Sequence, residues 1–163
     1  MKMHSHAAVK GVAFSVKCLT VALCVTAVAV AADKKIARSA LPPAVEKTVK
    51  AQSEGATIKD IGSETEGGVF QYEVEMMYNG HTKDIAIAKD GTLLEVEEEV
   101  AMSSLPANVQ SALTAKAATA KITKVESLTK KDKLVAYEAA TLKGAKKGEI
   151  QVGPNGEKLM HEE

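Results

Sequence analysis

The chain has 163 residues, 45% of them apolar and 3% aromatic, and its 21 basic side chains balance its 21 acidic ones. That balance excludes a binder of nucleic acid or of an anionic membrane surface, which would carry a basic stripe. Both cysteines, Cys18 and Cys24, precede Ala32. The rest of the chain therefore has neither a disulfide framework nor a thiol nucleophile.

The segment 1–31 carries Lys2, Lys10 and Lys17, no acid, and an apolar run from Cys18 to Ala32. A basic start, an apolar stretch of about 7–15 residues and an Ala-x-Ala end make a cleavable export signal. Ala29-Val30-Ala31 places the cut after Ala31, and Ala27-Val28-Ala29 offers a second site. A membrane anchor would need roughly 20 apolar residues, and Lys17 interrupts any longer run. Lys17 and Leu23 precede the cysteines where a lipid anchor wants a small residue, so lipidation is not expected. Cleavage removes three lysines and no acid, which leaves the segment 32–163 mildly acidic, net −3. The expected location is periplasmic or secreted, with no stable membrane span after cleavage.

The segment 32–40 reads as a linker. A helix then opens at Leu41-Pro42, because a proline at the first helical position gives up an N–H that would have no partner. Leu41, Val45 and Val49 recur at i, i+4 and i+8 and form one apolar stripe of about three turns. A helix this short is marginal alone, so its stripe must pack on something. Thr57 to Thr65 is a weak strand centred on Ile58 and Ile61. In the next segment, Phe70, Tyr72, Val74, Met76 and Tyr78 point one way, while Gln71, Glu73 and Glu75 point the other. This period of two marks a half-buried antiparallel strand. Asn79-Gly80 suits a tight hairpin turn. A strand with Ile85 and Ile87, a turn at Asp90-Gly91 and a strand with Leu94 and Val96 complete a meander.

The whole pattern then recurs. Leu41 aligns with Leu105, Pro42 with Pro106, Val45 with Val109, Val49 with Leu113, Ile58 with Ile122 and Ile61 with Val125, all at one constant offset. A single extra residue then lengthens the offset by one, matching Tyr72-Glu73 with Tyr137-Glu138, Ile85 with Ile150, Ile87 with Val152 and Asp90-Gly91 with Asn155-Gly156. The reading is a tandem repeat: a first copy at 41–100, a linker at 101–104 and a second copy at 105–163. Ser104 is the expected N-cap of the second helix and Ser39 a weaker one for the first. The fold class is α+β, each copy a helix packed on a three- to four-stranded antiparallel meander sheet. A module of about 60 residues buries only roughly 60% of its unfolded surface, which is why two would dock, edge to edge or face to face. Whether the second copy completes its own last strand stays open.

This arrangement resembles the PepSY-like family, whose members are also described as β-lactamase-inhibitor-like. The residues that carry the resemblance are the Leu-Pro helix start, Ala56 to Ile61, Tyr72-Glu73-Val74, and the Ile85 to Leu94 hairpin. The second copy repeats them as Leu105-Pro106, Ala120 to Val125, Tyr137-Glu138 and Ile150 to Leu159. The resemblance covers 41–163. It implies an exported module, often in tandem, that binds or inhibits other proteins, peptidases among them. The β-lactamase inhibitor itself presents many aromatics and carries disulfides. Here the chain from Ala32 onward has only Phe70, Tyr72, Tyr78 and Tyr137 and no cysteine. Tight interfaces lean on aromatic anchors, so a very tight inhibitor of that type is not implied.

No catalytic constellation is legible. Beyond the leader the histidines are His81, beside a turn, and His161, near the end, and neither has a frame that could tune it. There is no Gly-x-Ser-x-Gly elbow and no glycine-rich phosphate loop after a strand. The expectation is a protein that is not an enzyme and needs no cofactor. Charge is more informative. The first copy, 41–100, holds 5 lysines against 13 acids, net −8, whereas the second, 105–163, holds 10 lysines against 7 acids, net +3. Glu95, Glu97, Glu98 and Glu99 form a dense acidic run that reads as a solvated strand end and, more weakly, as calcium ligands, which prefer six to eight oxygens. Tyr72 and Tyr137 read as core. The polar strand face of Gln71, Glu73, Glu75 and Met77 is the expected contact for a partner, with Lys133 and Lys143 flanking its counterpart. The expected partner is another envelope or secreted protein, and the alternative is a small ligand or calcium held by the acidic first copy.

Overall fold

The computed structural model describes residues 34–66, 68–161 and 163, so the predicted export signal lies outside the described residues. In chain order the elements are α1 (Pro43–Gln52), β1 (Thr57–Glu66), β2 (Val69–Tyr78), β3 (His81–Ala88), β4 (Leu93–Glu99), α2 (Ala107–Ala117), β5 (Lys121–Lys130), β6 (Lys133–Lys143) and β7 (Lys146–Val152). The seven strands form one antiparallel sheet in the order β1 to β7. The sheet is longer than the three- to four-stranded meander expected of each half because β4 pairs with β5, from Glu95 opposite Lys130 to Glu99 opposite Glu126. The two halves join edge to edge. No strand follows β7 among the described residues.

Alternation decides which side chains meet the helices. The stripe of α1 buries Val45 and Val49 with Val74, Met76, Ile85 and Ile87, and Tyr72 and Val96 pack against that cluster. In the same way α2 buries Val109 and Leu113 with Val125, Ala139 and Val152, with Tyr137 and Ile150 against them. Val96 lies opposite Thr129, which shares the parity of Val125 on β5. Both helices therefore cover the same face of the sheet, and no element covers the other face among the described residues. None of the described helices is long and apolar enough to cross a membrane.

Each element of the first half except β4 has a counterpart in the second at the spacing read from the sequence, including the bulges at Ile58/Asp60 and Ile122/Lys124. The correspondence begins earlier than the sequence reading places it. Ile36, in the stretch read as a linker, donates its N–H to the Ile61 carbonyl at 2.8 Å, and Val100, read as the end of the first copy, donates its N–H to the Val125 carbonyl at 2.9 Å. Lys34 exchanges both backbone bonds with Ser63, so this stretch closes part of the outer edge of β1. The helix caps also differ from expectation. Pro42 and Pro106 occupy the N-cap positions with no side-chain cap, and Ser104 Oγ instead donates to the Ala101 carbonyl at 2.7 Å. The residue before a proline is driven to extended backbone. Leu41 (ψ 141°) and Leu105 (ψ 156°) obey this, so neither leucine can join its helix, and a start capped by Ser104 is excluded. Leu94 is the extra residue of a bulge, and Leu93 takes the place opposite Ile87.

Gly91, in the turn between β3 and β4, and Gly156, in the corresponding turn after β7, sit against the helix starts. Both have positive φ, and a Cβ would come within 2.6 Å of the Ala44 carbonyl oxygen at Gly91 and 2.7 Å of the Asn108 carbonyl oxygen at Gly156. Thr48 Oγ1 closes the first contact by donating to the Gly91 carbonyl at 2.6 Å, and Asn108 Nδ2 donates to the Asn155 carbonyl in the second. Left-handed strain of about 1–2 kcal/mol adds to a backbone clash that only a shift of the helix relieves. Gly91→Ala and Gly156→Ala should each lower the unfolding free energy by about 2–4 kcal/mol in urea titrations. A loss below about 1 kcal/mol at either would contradict that packing.

Candidate functional site: the open face of the sheet

On β2 the residues that alternate with the buried Val74 and Met76 are Gln71, Glu73, Glu75 and Met77, so all four turn away from the helices. The structure brings the first three together with acids that the sequence scatters. Register sets Glu75 beside Asp84 on β3 and Asp84 beside Glu97 on β4. Glu99 stands beside Glu126 on β5, and Glu126 beside Glu138 on β6. With Glu64 on β1 and Glu149 on β7, every strand places at least one carboxylate on this face. Lys124 and Lys130 are the lysines that β5 turns toward it. Neighbouring strands lie about 4.8 Å apart, so these carboxylates form rows across the sheet.

Several of the acids are held by hydrogen bonds. Gln71 Nε2 donates to Glu64 Oε1 and to Glu66 Oε2, both at 3.0 Å, and this buries the amide that the sequence reading treats as a free contact. Gln151 Nε2 donates to Glu138 Oε2 at 2.6 Å. Thr82 donates its N–H to Glu99 Oε2 at 3.1 Å. Lys130 Nζ lies 3.3 Å from Glu95 Oε2 and 3.9 Å from Glu163 Oε2.

The densest point is the seam where the halves join. There Asp84, Glu97 and Glu126 each offer a carboxylate oxygen, and the three lie within 4.8 Å of one another. Glu126 is only 5% exposed, and its Oε1 takes no aligned hydrogen bond, with Lys124 Nζ 2.7 Å away as its ionic partner. One ammonium thus faces three carboxyl groups. Burial, joined by repulsion from Glu126 and Glu75, raises Asp84 to about 6 against the pull of Lys124. Burial, joined by repulsion from Glu95, Glu126 and Glu138, raises Glu97 to about 8. Burial raises Glu138 as well, against the hydrogen bond from Gln151. Burial works against the Lys124 ammonium, but Glu126, Asp84 and Glu97 outweigh it and raise its pKa. A site of this kind can take a proton, a cation or a positively charged side chain.

The run Glu95, Glu97, Glu98 and Glu99 is therefore not a solvated strand end. It lies in the middle of the sheet, between β3 and β5. Its members also part company, since Glu97 joins Asp84 and Glu126 while Glu95 meets Lys130. Glu98 sits opposite Lys83 on the helix side, where Lys83 Nζ donates to Gln52 of α1. Lys133 and Lys143 stand at the two ends of β6, opposite Lys130 and Lys146, and do not approach the seam. The sequence reading misses Asp84, Lys124, Glu126 and Glu138. Their one signal is the alternation of Lys124, Glu126 and Leu128 beside the core residue Val125, which becomes informative only when β4 is known to pair with β5. Leu128, 1% exposed and in register with Glu97 and Ala136, supplies the apolar neighbour that desolvates Glu97.

No family model matches the chain, and no curated protein matches it. The fold is similar to those of solved bacterial structures. A BLIP-like protein from Bacteroides fragilis is 23% identical over 76% of this chain and 86% of its own, with a TM-score of 0.54. A DUF2874 family protein from Bacteroides ovatus is 17% identical over 74% and 85%, with a TM-score of 0.56. A protein from Bacteroides eggerthii, named as a candidate periplasmic protein, is 17% identical over 72% and 84%, with a TM-score of 0.58. At these identities the likeness establishes the fold: two helices on one face of an antiparallel α+β sheet, shared with a BLIP-like protein and a DUF2874 family protein.

Proposed function

We propose that this chain is an exported, non-enzymatic binding protein made of two copies of one PepSY-like module, and that it takes another envelope or secreted protein on the open face of its sheet. One observation carries the reading: both helices cover one face, while the seven-stranded face opposite them carries no helix or strand, is lined with carboxylates, and is met among the described residues by Glu163 at its β7 end. The correspondence of α1 and β1 to β3 with α2 and β5 to β7 supports two copies of one module. The signal-like sequence of 1–31 favours the periplasm or the exterior, as does the likeness to a candidate periplasmic protein of B. eggerthii. A likeness to a BLIP-like protein suits a binding or inhibiting role, and peptidases are among the partners that the family resemblance implies.

A crosslinked pull-down from the source envelope fraction tests the reading, with Glu73→Lys/Glu75→Lys as the control. The expected result is one enriched protein that is lost from the control. Equal enrichment by both baits, or none by a bait shown to be folded, would overturn it.

A second reading, a calcium-responsive binding protein, is favoured by the meeting of Asp84, Glu97 and Glu126. A native-state ligand raises the melting temperature, so this reading expects a rise in millimolar calcium, and an unmoved transition contradicts it.

A further inference from the structure

We propose that the partner seated on the open face is cationic, a lysine- or arginine-bearing segment of another protein whose charged side chains reach the seam of β3, β4 and β5. The inference rests on the open-face reading and adds the chemistry of the occupant.

Four observations lead to it. First, the charge on this face is lopsided: all seven strands bring carboxylates to it, and these outnumber the lysines beside them, among them Lys35, Lys124, Lys130 and Lys147. Like charges this close repel, and a partner that supplies positive charge removes the repulsion. Second, the face lacks the anchors of an apolar interface. Tyr72 and Tyr137 pack under the helices, Phe70 meets Tyr72 edge-on at 5.3 Å, and Tyr78 shares their side of β2. No aromatic side chain stands on the open face among the described residues. Third, the floor of the seam is acidic and short of positive charge: Glu126 is 5% exposed, Asp84 and Glu97 lie within 4.8 Å of it, and one ammonium, that of Lys124, is set against the three. Fourth, the chain itself shows what that floor accepts. Lys124 brings an ammonium to 2.7 Å from Glu126 on a side chain that is 36% exposed, so it can swing aside for an incoming cation.

The spacing suits a polypeptide. The row Glu75, Asp84, Glu97 crosses β2, β3 and β4, and the row Glu99, Glu126, Glu138 crosses β4, β5 and β6. Each row spans about 10 Å at about 4.8 Å per strand, long enough to meet two or three basic side chains of one segment.

The test uses the purified chain and two fluorescein-labelled decapeptides, one alternating lysine and alanine, the other glutamate and alanine, followed by fluorescence anisotropy. The lysine peptide should bind and the glutamate peptide should not. Affinity should fall about tenfold or more between about 20 and 200 mM sodium chloride, because salt screens exposed charge. Glu75→Lys on the open face should weaken binding about tenfold. Glu54→Lys, which makes the same change of net charge on the exposed surface beyond α1, should leave it within about twofold. Equal losses in the two variants would reduce the effect to net charge and overturn the proposal. So would absence of lysine-peptide binding, or retention of calcium alone at low millimolar concentration. Capture through the open face of a partner without basic segments would overturn the cationic chemistry and leave the open-face reading standing.

Discussion

Leu113→Ala is expected to lower the unfolding free energy by about 2–5 kcal/mol, the range for emptying a buried leucine site. Leu113 is fully buried on α2, in one cluster with Val109, Val125, Ala139 and Val152. Its counterpart in the first half is Val49, and the counterpart of Ala139 is Val74. The second half thus sets a larger helix residue over a smaller strand residue, where the first sets two valines. A methyl group at Ala139 cannot move in to fill the space, so the cost should fall in the upper part of the range. Because β4 and β5 make the two halves one sheet, the variant should shift a single cooperative transition. Urea titration followed by circular dichroism reads both features. A loss below about 1 kcal/mol would refute the placement of α2 on the sheet, and two separated transitions would refute the coupling of the halves.

Stability should fall as pH rises from 5 to 9, and Glu97→Gln should remove most of that fall. The folded chain raises Asp84 from 3.8 to about 6 and Glu97 from 4.5 to about 8. A carboxyl group whose pKa is raised on folding holds its proton more tightly in the native state. Its contribution is complete below the unfolded pKa and is lost as pH climbs through the folded value. The window therefore opens near pH 4 and closes above 8. Both groups keep some contact with solvent, which tempers the penalty, and a loss of about 2–3 kcal/mol over the window is expected. An amide at position 97 carries no charge to desolvate, so the variant should match the parent near pH 5 and exceed it at pH 9. Groups with lowered pKa, such as Asp60 beside Lys35 and Glu99 under Thr82, act in the opposite sense and only in acid. Thermal melts at pH 5, 7 and 9 check the prediction, and parallel curves for parent and variant would refute it.

The sequence reveals the parts better than their assembly. The alternation along 69–78 defines β2 and its polar face, because a period of two leaves a half-buried strand no choice of side. The stripes Leu41, Val45, Val49 and Leu105, Val109, Leu113 likewise define both buried helix faces. Capping propensity alone misplaces the helix starts at Ser39 and Ser104, because it ignores the backbone restriction that the following Leu-Pro imposes. Docking is not legible, since a tandem repeat of this length fits edge-to-edge and face-to-face pairing equally well. Everything at the seam depends on that one choice. Glu97 reads as solvated until β5 sets Leu128 and Glu126 beside it. Glu98, its neighbour in the same acidic run, goes to the opposite face.

The most direct test places a photoreactive amino acid at one of two positions in the full chain, expressed in its own envelope. Position 75 replaces Glu75 on the open face, and position 47 replaces Lys47 on the outer surface of α1. The account predicts a discrete adduct to one partner from position 75 and none from position 47. Adducts from position 47 alone would put the binding surface on the helices and contradict it.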